Sequence, residues 1–145
     1  MEIDMKKAAL IAGVLTAIII VALVLTAEWR IHSTGQIKAI NVGVYSDELC
    51  TQELSAIDWG LLAPSEMRIA GIYIKNTGNS PQNITIYTNN YQPVESEIYL
   101  QLTWNYDEHE LAVNEVILVT LTLTVSQSII GINEFTFDIV IKASG

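Results

Sequence analysis

Apolar and polar residues alternate with a period of two from Gly35 to residue 142, and this pattern constrains the fold most strongly. Successive side chains of a β-strand point to opposite faces, so such alternation indicates strands with one buried face and one exposed face. The pattern predicts strands at residues 40–44, 72–75, 84–87, 98–104, 119–125 and 135–142, and a seventh near residues 54–59. Residues 35–145 are therefore predicted to form an all-β domain, an antiparallel β-sandwich of about seven strands.

Residues 8–27 read AALIAGVLTAIIIVALVLTA and carry no charge. An α-helix of about 20 residues spans about 30 Å, the thickness of the hydrocarbon core of a bilayer. Lys6 and Lys7 precede the run, and the positive-inside rule places that side in the cytoplasm. Residues 1–34 are therefore predicted to be a cytoplasmic stub and one N-terminal transmembrane α-helix. The sandwich is predicted to face the extracytoplasmic side, anchored to the membrane through residues 8–27.

Three fates are open for this helix. It is retained as an anchor, or it is an ordinary signal peptide cut after Ala27, where Leu25 occupies a position that usually holds a small residue. Alternatively, residues 6–10, which read KKAAL, resemble the short motif that archaeal prepilin peptidases cut. That resemblance implies cleavage between Ala8 and Ala9 and a helix that packs in the core of a filament.

The net charge of −9, from 16 acidic and 7 basic residues, limits the partners. An acidic domain repels phosphate backbones and anionic membrane surfaces, so no nucleic-acid partner is expected. The acidic surface is predicted to serve solubility, and cations or a basic partner are the alternative. The lone cysteine, Cys50, rules out an intrachain disulfide. It is predicted to be buried, with a disulfide between chains as the alternative.

No residue pattern predicts a catalytic, cofactor-binding or metal-binding site. His32 and His109 have no partner at the spacing of zinc ligands. Residues 107–110 are predicted to form a solvated loop between strands, with a weak divalent-cation site as the alternative. A calcium loop in the acidic stretch 47–58 is a further alternative, although the ligand spacing of such loops is missing. We therefore expect a protein that is not an enzyme and needs no cofactor.

Two surface features are candidate sites. Asn83-Ile84-Thr85 is an acceptor triplet for N-glycosylation on the predicted exported side, so Asn83 is a possible modification site. Tyr73, Tyr87 and Tyr99 fall on the outward phase of their strands, and Tyr91 is predicted in the loop after one of them. Outward tyrosines offer contact area with a polar group, so the three form a possible contact surface.

Residues 59–66, which read WGLLAPSE, are followed by a strand and then by the run KNTGN at residues 75–79. This layout resembles immunoglobulin-like exported domains, among them the camelysin type of surface-filament proteins. It is also similar to small archaeal envelope proteins with one membrane helix and one sandwich, although Ser65 stands where the pattern usually has glycine. The resemblance implies an immunoglobulin-like sandwich outside the cell and transfers no active site.

The sequence as a whole predicts a non-enzymatic surface protein of the cell envelope, whose membrane-anchored sandwich mediates structural or protein–protein contacts. Its expected partner is another envelope protein or a further copy of itself. One alternative is a subunit of an extracellular filament, either pilin-like or assembled by donated strands. Another is a secreted module that binds a sugar or a metal.

Overall fold

A computed structural model describes residue 5 and residues 27–145, and the chain divides into two units, Met1–Gln36 and Ile37–Gly145. The N-terminal helix predicted at residues 8–27 and the predicted cleavage site between Ala8 and Ala9 lie outside the described residues, Ala27 excepted. In the part of the chain that the structure describes, no helix is long and apolar enough to cross a membrane.

The second unit consists of β-strands in two antiparallel sheets, which confirms the prediction of an all-β sandwich. One 3-10 helix, Val94–Ile98, lies between the third and fourth strands. The strands are β1 Val42–Tyr45, β2 Met67–Asn76, β3 Asn83–Gln92, β4 Leu100–Trp104, β5 Val116–Val125 and β6 Thr136–Ser144.

The seventh strand predicted near residues 54–59 is wrong, and residues 27–145 contain six strands. Only the start of this segment reaches a strand edge, where the Leu54 N–H donates to the Val44 carbonyl at 2.9 Å. The chain then leaves β1, and Asp58 Oδ1 accepts the Gly60 N–H at 2.8 Å in a turn. Without a continuous partner edge, these backbone groups form no ladder.

Most strand ends differ from the prediction by one to five residues, and two of these differences change the element to which a residue belongs. Ile98, expected in the fourth strand, belongs to the 3-10 helix, so β4 begins at Leu100. Tyr91, expected in a loop, lies in β3 beyond a register shift and is buried. Its ring stacks on that of Phe137, with 5.0 Å between the ring centroids. Packing of this ring between the sheets extends β3 past the polar residues that suggested a loop.

The four-stranded sheet has the order β1-β2-β5-β4, and the second sheet pairs β3 with β6. β2 and β5 are the central pair and share the longest register, from Met67 opposite Thr124 to Lys75 opposite Val116. Their inward side chains form the centre of the core at 0–1% exposure: Ile72, Ile74, Val119, Leu121 and Leu123. Burial of one such side chain stabilises a fold by about 1.5–3 kcal/mol.

Buried amide side chains close one end of the sandwich. Asn76 Nδ2 donates to the carbonyls of Ser80 and Leu111 at 2.9 and 3.0 Å, while its oxygen accepts the Gly78 N–H. The backbone of Gln82 exchanges two hydrogen bonds with that of Leu111. These bonds satisfy the polar groups that burial removes from water, and they fix the connection between β2 and β3.

Candidate binding site

The sandwich is closed on the β3 side and open beside β6. The inward residues of β3, Ile84 and Ile86, are buried. On β6, Phe137, Ile139 and Ile141 take the equivalent phase, yet all three are only half-buried, and no residue of β6 is buried. All four residues of β1 are half-buried as well. The apolar core is therefore incompletely covered where β1 and β6 face each other.

An apolar groove of about 520 Å³ occupies this opening. One wall is β6, through Phe137–Ile141, and the other is formed by β1 and by the segment from Leu54 to Trp59 that follows it. The floor consists of Ile72 and Leu121, two residues at the centre of the core. These two side chains are at 0–1% exposure, so the surface open to a ligand belongs to the half-buried residues of the walls.

The free edge of β6 lies along the same groove. Among the described strands β6 pairs only with β3, through the register from Asn83 opposite Ser144 to Gln92 opposite Thr136. In an antiparallel pair, alternate residues direct their N–H and C=O groups away from the partner strand. β6 therefore presents a row of unpaired backbone groups beside an apolar surface, the arrangement that accepts an added strand.

An arginine clamp holds the loop that carries Trp59. Arg68 donates to the Trp59 carbonyl at 2.8 Å and to the Leu61 carbonyl at 3.0 Å, and it pairs with Glu66. Glu66 in turn accepts the Ala63 N–H at 2.7 Å. The hydrogen bond from the Ala63 N–H is the main cause of the lowered pKa of the Glu66 carboxyl, and the hydrogen bond from Arg68 is the second. These contacts give the sequence run at residues 59–66 a structural role, because they fix the loop that forms one wall of the groove.

Residues 37–41, which lead into β1, are held against the connection between β2 and β3. Asn79 Oδ1 accepts the Ala39 N–H at 2.7 Å, and the Ala39 carbonyl accepts the Asn79 N–H at 3.1 Å. The buried amide of Gln82 donates to the Asn41 carbonyl at 2.7 Å and accepts the Asn41 N–H at 3.2 Å. The chain therefore enters the sandwich at the end where β2 passes into β3.

The sequence-predicted surface sites are dispersed over the sandwich. Asn83 is exposed at the first position of β3, and Thr85 of the same triplet is exposed. Tyr73 lies on the outer face of the four-stranded sheet and Tyr87 on the outer face of the two-stranded sheet. The prediction that Tyr99 lies in a strand is wrong, because this residue caps the C-terminal end of the 3-10 helix and β4 begins only after it. The structure does not bring Tyr73 and Tyr87 together, and a contact surface through them stays a prediction.

The loop at residues 107–110 forms a small ionic cluster around His109. Its Nδ1 lies 2.7 Å from Asp107 Oδ1, and its Nε2 lies 3.1 Å from Glu115 Oε2. These two carboxylates, Asp107 first, raise the pKa of the His109 imidazole. Among the described residues, no group of three or more His, Cys, Asp or Glu side chains could hold a metal ion.

The acidic stretch after β1 is used within its own turn. Asp47 accepts hydrogen bonds from the Thr51 hydroxyl at 2.6 Å and from the N–H groups of Thr51 and Gln52. The Thr51 hydroxyl is the main cause of the lowered pKa of Asp47. Cys50 lies in this turn with a φ of 56° and is half-buried, so the prediction of a buried thiol is wrong. A turn on the surface leaves one side of the thiol open.

Comparisons of the chain with protein-family models, with curated proteins and with solved structures give no match. The groove was not predicted from the sequence, because strand order and free edges depend on pairings between distant segments. The candidate site is therefore the groove beside β6. It is lined by β6, by β1 and by the segment from Leu54 to Trp59.

Proposed function

We propose that this chain is a non-enzymatic structural protein of the cell envelope, whose sandwich binds a protein partner outside the cell by accepting a β-strand beside β6. Residues 8–27 anchor it to the membrane in this proposal. The observation that carries it is the open groove with the free edge of β6 along one wall.

The order of the strands supports an immunoglobulin-like sandwich that lacks its last strand. Such a domain places its first, second, fifth and fourth strands in one sheet and its third, sixth and seventh in the other. Here β1-β2-β5-β4 corresponds to the first sheet and β3-β6 to the second, without a seventh strand in the described residues. The groove beside β6 lies where that seventh strand would pair.

The chemistry of the groove favours a polypeptide over a sugar or a metal ion. Among the described residues that line it, Asp138 alone is ionisable, and its carboxylate already accepts a hydrogen bond from Asn90 at 2.8 Å. Of the other side chains that line the groove, all but Ser55 are aliphatic or aromatic, and polar backbone groups are exposed between them. A bound strand would pair with the edge of β6 through its backbone and fill the apolar groove with alternate side chains.

Cysteine accessibility in intact cells tests this proposal. In a Cys50→Ser background, Ile139→Cys reports on the groove. Leu102→Cys is the matched control, because Leu102 is also a half-buried apolar residue on an edge strand. We expect a membrane-impermeant maleimide to label Leu102→Cys in cells and to label Ile139→Cys at least about tenfold more slowly. Equal labelling of the two would overturn the proposal.

Thr103→Cys, exposed on β4, reports on location in the same experiment. We expect it to be labelled from outside the intact cell. Labelling only after lysis would place the sandwich on the cytoplasmic side and contradict the proposed function.

A further inference from the structure

A second copy of this chain is a candidate for the partner that fills the groove, and this inference rests on the proposed function. Residues 28–38 have the composition of a half-buried strand. Every even position is polar, from Glu28 to Lys38, while the odd positions are Trp29, Ile31, Ser33, Gly35 and Ile37. Such strict alternation predicts a strand with one apolar face.

The described segment forms no strand, and at its C-terminal end the Ile37 carbonyl accepts a hydrogen bond from Asn79 Nδ2 at 2.9 Å. Residues 27–41 belong to no strand. Trp29, Ile31 and Ile37 are 90%, 82% and 88% exposed. Large apolar side chains that are exposed together on one face of a segment indicate a surface that is covered in the functional state.

Two polar side chains of the segment contact each other. Arg30 Nη2 lies 2.8 Å from Glu28 Oε2, so two side chains at positions i and i+2 contact each other. Positions two apart share a face in an extended chain and not in a helix. In an extended chain Glu28 and Arg30 share a face, and Trp29 and Ile31 belong to the opposite phase.

The dimensions and charges of segment and groove are complementary. β6 has nine residues, and nine residues from Trp29 to Ile37 match its length, since each strand residue spans about 3.4 Å. Residues 40–145 carry 13 acidic and 3 basic residues. In the segment, Arg30 and Lys38 outnumber Glu28. A weakly basic strand meets a strongly acidic domain, which favours association.

We propose that residues 28–38 of one copy add as a strand to β6 of a second copy and place Trp29, Ile31 and Ile37 in its groove. Each copy then donates one segment and accepts one, so donor and acceptor surfaces differ. Such head-to-tail contacts build open filaments unless the rotation between copies closes a ring. The proposal therefore links the groove to self-assembly.

Photo-cross-linking tests the donor and its origin. The full chain in detergent carries Trp29→p-benzoylphenylalanine, and ¹⁴N-labelled and ¹⁵N-labelled preparations are mixed before assembly. We expect cross-links from position 29 to peptides of residues 54–59 or 137–141 that join a ¹⁴N chain to a ¹⁵N chain. Val94→p-benzoylphenylalanine, at another exposed apolar position, is the control and should give no cross-link to the groove.

Either of two other cross-linking results would overturn the inference. Cross-links to the groove that never mix the isotopes would show that a chain fills its own groove. Cross-links only to detergent, or to peptides outside the groove, would show that the segment binds elsewhere. If Ile139→Cys is nonetheless protected in cells, the proposed function survives and only the identity of the partner is wrong.

A pair of double variants tests the apolar face separately. Ile31→Asp with Ile37→Asp places two charges on that face, whereas Thr34→Asp with Gln36→Asp places the same two charges on the polar face. We expect the first pair to weaken self-association at least about tenfold by sedimentation velocity and the second to change it less than threefold. Both should unfold at the parent temperature, because Ile31 and Ile37 are exposed in the single chain. Equal weakening by both pairs would contradict the proposal.

Discussion

At the scale of residues, the fold changes the proton binding of His109. Two carboxylates, on Asp107 and Glu115, face the two ring nitrogens at 2.7 and 3.1 Å. Both favour the charged imidazolium, so the pKa of His109 is raised from the ordinary value of 6.5. We expect an NMR titration of the His109 ring to give a pKa above 6.5, and Glu115→Gln to lower it.

The sign of the pH dependence follows from this shift. A group whose pKa is higher in the folded state stabilises the fold fully below its unfolded pKa, and the contribution is lost as pH rises through the folded pKa. The contribution of His109 is therefore present below pH 6.5. A titration that puts its pKa at or below 6.5 would show that the two contacts do not form in solution.

Asn76 is the polar residue on which the closed end of the sandwich depends most. Its side-chain amide donates to the carbonyls of Ser80 and Leu111 and accepts the N–H of Gly78. We expect Asn76→Ala to lower the free energy of unfolding by about 2–4 kcal/mol, because buried polar groups lose their partners. The exposed Asn89 provides the control. In urea denaturation, Asn89→Ala should change the free energy of unfolding by less than about 0.5 kcal/mol.

At the scale of elements, β5 is the centre of the structure because it pairs with both β2 and β4. Its side chains alternate between the core and the solvent. We expect Leu121→Ala, at a fully buried position, to destabilise the fold by about 2–5 kcal/mol. Leu118 lies on the opposite face of the same strand and is 54% exposed. If Leu118→Ala costs as much, the assigned faces of β5 are wrong.

β6 differs from β5 in having only one partner strand and no buried residue. Local opening costs less where few apolar contacts hold a strand. We expect hydrogen exchange on the full chain in dilute detergent to show faster exchange of the β6 amides than of the β2 and β5 amides. Addition of a strand to β6 should slow this exchange. Protection of β6 equal to that of β5 in a single chain would contradict a free edge.

Different parts of the fold depend on different kinds of information in the sequence. The alternation of Val119, Leu121 and Leu123 with threonines predicts a strand and its buried face, because both are local properties. The segment at residues 54–59 is also apolar, yet it forms no strand, because a strand needs a continuous partner edge. Tyr91 enters β3 because Phe137, far away in the sequence, packs on its ring.

The candidate site was hidden for the same reason. No local pattern marks the groove, because its walls come from β1, β6 and the segment that follows β1. The donor segment did carry a local signal, the alternation at residues 28–38. The sequence does not say, however, that this segment lies in no strand. Both facts appear only once the order of the strands is known.

At the scale of the whole molecule, the groove beside β6 connects the fold with the proposed binding of a strand. The apolar residues of β1 and β6 are only half-buried, and the same chain has a segment with strand-like alternation that lies in no strand. A protein with both features gains buried apolar area when copies associate. A stable sandwich and an envelope assembly would then depend on the same contacts.

The most direct test is a cryo-electron microscopy map of the protein extracted from the envelope in its native assembly. We predict an additional strand hydrogen-bonded to the free edge of β6, with side chains that cover the half-buried Phe137 and Ile139. A map in which the edge of β6 is bare and the groove is open, while the protein is bound to its partner through another surface, would contradict the account.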